Sequence, residues 1–165
     1  MKDNTRQIDQ FILGSLDSLS VYTDGACSLN PGAGGWGAIF VAKNNDTFSI
    51  SGFHPHTTNN RMEMMAVINA LKAIDSFDVK LVHVYTDSMY VKNGITVWSK
   101  KWMKNNWRTS DNKSVKNQEL WLELLDLSLR KNIEWHWVKG HSDNVFNNKV
   151  DLLAREALQQ HTDKD

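Results

Sequence analysis

One short word, written twice, constrains this chain more than any other feature. Val21-Tyr22-Thr23-Asp24-Gly25 is a β-rich run that reaches an aspartate and then a glycine suited to a turn. Val84-Tyr85-Thr86-Asp87 repeats the word at the end of a second apolar run. Two strands that each finish on a carboxylate can lie side by side and present both acids at one sheet edge. In open α/β sheets, ligands bind at the edge formed by the carboxyl ends of the strands. Neighbouring carboxylates repel each other, so a shared cation is a natural third party. Aspartate is also a common turn residue, and either copy alone reads equally well as a strand end. The duplication favours a site.

The 165 residues fit a single domain with a real core. Lys+Arg and Asp+Glu both number 19, so no global field argues for nucleic acid. The distribution says more than the sum. Residues 98–116 hold six basic residues (Lys100, Lys101, Lys104, Arg108, Lys113, Lys116) against one acid, Asp111. Trp98, Trp102 and Trp107 lie among them, either as a nucleic-acid surface or as the packed side of a helix whose lysines face solvent. Cys27 is the only cysteine, which excludes an intrachain disulfide and points to a reducing compartment. No apolar run approaches the roughly 18 residues of a membrane span, and no signal-peptide pattern opens the chain. A cytoplasmic protein without a membrane partner is expected.

Along the chain, residues 1–19 form an N-terminal extension, either disordered or one short amphipathic helix with Ile8, Ile12, Leu16 and Leu19 on one side. Residues 30–35 read as a glycine-rich turn without phosphate-binding spacing. Strands at 36–41 and 47–53 complete an antiparallel meander with the first strand. A polar loop at 54–61 leads into a helix at 62–74, whose first turn carries Glu63; an acid there also complements the helix dipole. A strand at 80–85, a short helix at 88–95, a helix at 117–131 and a strand at 133–138 follow. His141 sits in a polar loop at 139–144, and Asp151 in the first turn of a last helix at 148–160. His54 and His56 flank a proline without a matching cysteine or histidine cluster, so no zinc site is expected there.

The chain thus offers four acids at element ends: Asp24 and Asp87 after strands, Glu63 and Asp151 at helix starts. Three or four converging carboxylates would hold two Mg²⁺ ions through hard oxygen ligands, the arrangement used for phosphodiester displacement.

Six motifs then resemble the bacterial ribonuclease HI (type 1 ribonuclease H) family. They are Thr23-Asp24-Gly25, Asn30-Pro31-Gly32, Thr57-Thr58-Asn59-Asn60-Arg61-Met62-Glu63, Thr86-Asp87-Ser88, Val138-Lys139-Gly140-His141 and Asp151-Leu152-Leu153-Ala154. They occur in order over residues 20–158. The resemblance implies the ribonuclease H fold, an α/β five-stranded mixed sheet with helices on both faces. The domain would run over 20–160, with a basic protrusion at 98–116 and a tail at 161–165. It implies a monomeric endonuclease that hydrolyses the RNA strand of RNA–DNA hybrids with two Mg²⁺ ions, Mn²⁺ being able to substitute, and leaves 5′-phosphate and 3′-hydroxyl ends. Asp24, Glu63, Asp87 and Asp151 would bind the metals, and His141 would assist proton movement or product release. Cys27, Asn30 and Asn59 would touch the hybrid's minor groove. Thr58, Arg61 and Asn117 would hold a DNA-strand phosphate, and Lys100, Lys101, Lys104 and Arg108 would meet the duplex through the protrusion.

Two departures stand out. Met89 follows Asp87-Ser88 where relatives often carry a glutamine, and Asn144-Val145-Phe146-Asn147-Asn148 replaces a loop that usually contains proline. A DNA-directed relative, such as a junction nuclease or transposase core, and a non-catalytic hybrid-binding module are the alternatives. The 57–61 loop and the protrusion disfavour the first, and the intact acids the second.

Overall fold

The computed structural model describes residues 2–139 and 144–162, with side chains from 7–139 and 144–160. Helix α1 (Lys2–Leu13) precedes the meander β1 (Leu19–Cys27), β2 (Gly32–Val41) and β3 (Thr47–Thr57). Helix α2 (Asn59–Ile74), β4 (Val82–Thr86) and α3 (Met89–Asn93) follow. A π-helical turn, Gly94–Trp98, joins α3 to α4 (Ser99–Lys104); then come α5 (Gln118–Leu129), β5 (Ile133–Trp137) and α6 (Val145–Thr162). The sheet order is β3-β2-β1-β4-β5. The meander is antiparallel, whereas β4 runs parallel to both β1 and β5. This is the five-stranded mixed sheet expected, with α6 on one face and the other helices opposite it.

Side-chain alternation along β1 assigns the two faces. Leu19 and Val21 join Val82, Val84, Val67, Ile68 and Leu71 in the main core, beneath α2. Tyr22 lies on the other face, with Ile39, Val41 and Val150, where Phe146 and Leu153 of α6 cover it.

Several boundaries differ from the sequence reading, each for a physical reason. Strand β1 does not stop at Asp24, because Gly25, Ala26 and Cys27 stay paired with Trp36, Gly35 and Gly34 of β2. The shorter β4 sets the edge: its last pair with β1 is Thr23–Thr86, so Asp24 and Asp87 are both the first residues past it. Gly25 is therefore not a turn. A Cβ there would lie 2.5 Å from the Glu63 amide nitrogen, so the bare glycine lets α2 sit directly on β1. The glycines after Pro31 belong to β2, and Gly35 accepts α6 in the same way, against the Ala154 carbonyl. Strand β3 continues through His54-Pro55-His56, which are not loop residues.

Helix α2 begins at Asn59 because Thr58 caps it, its Oγ1 accepting the Arg61 amide at 3.2 Å. Glu63 therefore lies beyond the first turn. Asn144 Oδ1 accepts the Asn147 amide at 2.9 Å as α6 starts, so the divergent 144–148 segment opens that helix and Asp151 also lies past its first turn. The helix expected at 88–95 instead runs on as α3, the π-turn and α4 to Lys104. There the backbone of Gly94 packs on the Trp121 indole.

Helix α1 is docked. Ile12 is fully buried in the main core, with Ile8, Phe11 and Leu16 packed against it. The Phe11 and Phe48 rings lie 6.1 Å apart, and Leu16 O accepts the Lys80 amide. Ile12→Ala should cost about 2–5 kcal/mol, the range for a buried isoleucine truncated to alanine. Urea unfolding checks this, and an unchanged midpoint would mean that α1 contributes no core.

Candidate active site

Four elements carry acids to one open cleft, lined by Asp24, Glu63, Asp87 and Asp151 together with Asn59, Asn60, Met89, Asn147 and Asn148. Asp24, Glu63 and Asp87 bring carboxylate oxygens within 4.8 Å of one another. The parallel register of β1 and β4 sets two of them, and the close seating of α2 over Gly25 sets the third. Asp151 reaches the cleft from α6, with its Oδ2 3.0 Å from Arg155 Nη2 one turn on.

Asp24 is buried, and its Oδ1 accepts the Gly25 amide at 2.9 Å. Burial, chiefly, pushes its carboxyl up to about 7; the charge of Asp87 and a hydrogen bond with Asp151 add to this, and hydrogen bonds from Glu63 and the Gly25 amide oppose it. Burial and then the neighbouring Asp24 carboxylate hold Glu63 well above the ordinary glutamate range. Both acids are thus biased toward their protonated forms when no cation compensates them.

Glu63 Oε2 is buried without a hydrogen-bond partner. A buried carboxylate oxygen left unpaired is costly and rare. Three convergent carboxylates with one orphaned oxygen are the donor set of a hard divalent cation. The residues fit such an ion.

The expected substrate contacts fall into three groups. Asn30 and Asn59 are exposed and adjacent, Asn30 Oδ1 accepting the Asn59 amide at 3.2 Å. The Cys27 thiol, beside them, donates to Leu29 O at 2.8 Å. Thr58, Arg61 and Asn117 also assemble: Arg61 follows the Thr58 cap, and its Nη1 donates to Asn117 Oδ1 at 3.0 Å. The same Nη1 pairs with Glu119 Oε1 at 2.6 Å, and Arg61 holds the Glu119 carboxyl below its usual range. Glu119, in the first turn of α5, was not among the expected site residues. Asn117 has φ 60°, and its Nδ2 donates to Tyr90 Oη at 3.1 Å.

Lys100, Lys101, Lys104 and Arg108 are all exposed. Beneath them Trp98, Trp102 and Trp107 pack in series, their rings tilted to one another at 6.0 and 5.8 Å, and Trp102 meets the buried Trp121 at 5.5 Å. The indoles are packing and the cations face solvent. Asn147 and Asn148 line the cleft and were missed as site residues, although they lie in the segment that diverges from the family pattern. His141 lies outside the described residues.

Comparison with known proteins gives a consistent result. The RNase H family model matches residues 17–159. Ribonuclease H of Ehrlichia ruminantium (strain Gardel) is 54% identical over 143 residues, which is 87% of this chain and 96% of that protein. Ribonuclease H of Bartonella tribocorum is 51% identical over 143 residues, covering 87% and 90%. Among solved structures, LC9-RNase H1, described as a type 1 RNase H with the type 2 active-site motif, superposes with a TM-score of 0.78 at 30% identity, covering 87% of this chain and 73% of that one. LC11-RNase H1 in complex with an RNA/DNA hybrid has a TM-score of 0.67 at 22% identity, covering 87% and 99%.

Proposed function

The chain belongs to the ribonuclease H family, and we propose that it hydrolyses the RNA strand of RNA–DNA hybrids as a cytoplasmic monomer, leaving 5′-phosphate and 3′-hydroxyl ends. The observation that carries this reading is the Asp24–Glu63–Asp87 cluster with its orphaned Glu63 oxygen. These oxygens and Asp151 would hold two Mg²⁺ ions, or Mn²⁺ as a substitute, which when bound would supply Lewis acidity for an in-line displacement at phosphorus.

The chain's own residues do the rest. A bound cation would take the place of the protons that Asp24 and Glu63 otherwise favour, so the cleft becomes anion-tolerant only when loaded. Asn30, Asn59 and Cys27 flank it on the meander side, within reach of a minor groove, where 2′-hydroxyl contacts distinguish RNA from DNA. Arg61, with Thr58 and Asn117, accepts a DNA-strand phosphate by giving up Glu119. His141 moves a proton to the leaving 3′-oxygen or helps release product; this role rests on its motif.

Cleavage of labelled hybrid, double-stranded RNA, single-stranded RNA and double-stranded DNA, with and without Mg²⁺, tests the proposal. Only the RNA strand of the hybrid should be cut, and only with metal. Equal cutting of duplex DNA would favour a DNA-directed relative, and binding without cutting a non-catalytic module.

The protrusion supplies a second test. Each lysine on a phosphate releases condensed counterions, so log K falls with log salt in proportion to the contacts. Replacing Lys100, Lys101 and Lys104 with alanine should weaken hybrid binding and flatten the salt slope by up to about 0.9 per lost contact. Turnover at saturating hybrid should hold, because uniform binding is lost. An unchanged slope would make these lysines a merely solvated face.

A further inference from the structure

Among the described residues, two groups bring three candidate ligand atoms within 4.8 Å of one another: the acids of the cleft, and His83, Glu134 and His136. We propose that the second group is a binding site for a borderline transition-metal cation of the Zn²⁺ class, clipping β4 to β5. It plays no part in the family's chemistry and stands apart from the four-acid cleft.

The placement follows from strand register. His83 of β4 lies opposite Glu134 of β5, and Tyr85 opposite His136. Positions two apart share a sheet face, so both imidazoles and the carboxylate point the same way. His83 Nδ1 lies 2.9 Å from His136 Nε2 and 3.2 Å from Glu134 Oε2; the His136 Nε2–Glu134 Oε2 distance is 3.8 Å. Bonds of about 2.0–2.2 Å to nitrogen and oxygen give ligand–ligand edges of about 3–3.5 Å. The three observed edges bracket that value, so a point at bonding distance from all three atoms lies just off their plane.

The donors are held in place. The Tyr85 ring stacks on the His136 imidazole at 4.5 Å and 15°, and Tyr22 stacks on Tyr85 at 4.3 Å and 7°. Strand β5 is a sheet edge. Glu134 is exposed and both histidines are half-buried, so a hydrated cation can reach them and keep water on its remaining positions.

The donor chemistry sets the ion. Two neutral imidazoles and one carboxylate suit Zn²⁺, Co²⁺ or Ni²⁺, whereas Mg²⁺ takes oxygen ligands and belongs in the acid cleft. The competing explanation is a proton held between the two rings beside Glu134, which needs no metal.

The test is a Zn²⁺ titration by calorimetry with the acid cleft saturated by Mg²⁺, repeated with Co²⁺ and read by visible d–d absorption. The parent should bind one Zn²⁺, gain thermal stability and shift the imidazole NMR resonances of His83 and His136. Asp24→Asn should behave as the parent does. His83→Gln, His136→Gln and Glu134→Gln should each lose more than about 100-fold in Zn²⁺ affinity, beyond the usual cost of losing an outer-shell partner. Hybrid cleavage with Mg²⁺ should stay unchanged in these three variants, which also reports that they fold. Zn²⁺ affinity retained in the Gln variants, or lost in Asp24→Asn, overturns the site. Unmoved histidine resonances in the parent overturn it even if a variant fails to fold.

Discussion

Asp24→Asn should cut hybrid cleavage at least about a hundredfold, the loss typical when one group that compensates transition-state charge is removed, while hybrid affinity holds. Asparagine keeps the volume and the Oδ1 that accepts the Gly25 amide, but takes away one of the three charges clustered within 4.8 Å. The same change should stabilise the metal-free protein above neutral pH. The Asp24 carboxyl is raised from 3.8 to about 7 on folding, so the folded chain holds its proton more tightly than the unfolded chain does. The stability that Asp24 contributes must then be lost as pH rises from about 4 to about 7. The raised Glu63 acts in the same direction. Asp24→Asn should flatten this slope, as should Mg²⁺ in the parent. Urea unfolding with and without chelator across that pH range, beside single-turnover cleavage, checks both halves. A variant that cleaves at the parental rate would remove Asp24 from the site.

The four acids were legible in sequence because each sits beside a strong local signal: a repeated strand word, or the apolar stripe of a helix. Why they meet was less legible. The first strand was expected to turn at Gly25, but nothing local reports that β2 keeps pairing with residues 25–27 or that Gly25 serves the approach of α2. Both helix starts were placed late, because Thr58 and Asn144 cap segments that look like polar loop. The ion pair of Arg61 with Glu119 joins residues 58 positions apart, and no periodicity announces such a contact. The same holds for His83 and His136, which only the parallel register of β4 with β5 brings together. Ile12 was legible as an apolar helix position, but its complete burial depends on a sheet face that the first nineteen residues do not contain. Local pattern identifies the ligands here, and long-range register assembles them.

Gly25→Ala should separate these two contributions, because it keeps all four acids in the sequence and, of these, displaces only Glu63. The added Cβ would lie 2.5 Å from the Glu63 amide nitrogen and 2.6 Å from the Met62 carbonyl carbon, and backbone atoms cannot rotate out of its way. Helix α2 must back away from β1 by about 1 Å, a displacement that can cost about 10² in rate when it misplaces a catalytic group. Overpacking of this kind also costs about 1–3 kcal/mol in stability. Cleavage should therefore drop about a hundredfold with weaker Mg²⁺ binding, while hybrid affinity falls less, because the protrusion lies off α2 and keeps its cations in place. Gly52→Ala is the matched control: its Cβ would lie 2.4 Å from the Trp36 indole nitrogen, between β2 and β3 and away from the acids. It should lower stability comparably and leave turnover of the folded protein near the parental value. Mg²⁺ titration by calorimetry and single-turnover cleavage, both below the unfolding transition, distinguish the two. If Gly25→Ala matched the control in turnover, the seating of α2 on β1 would not be what positions Glu63.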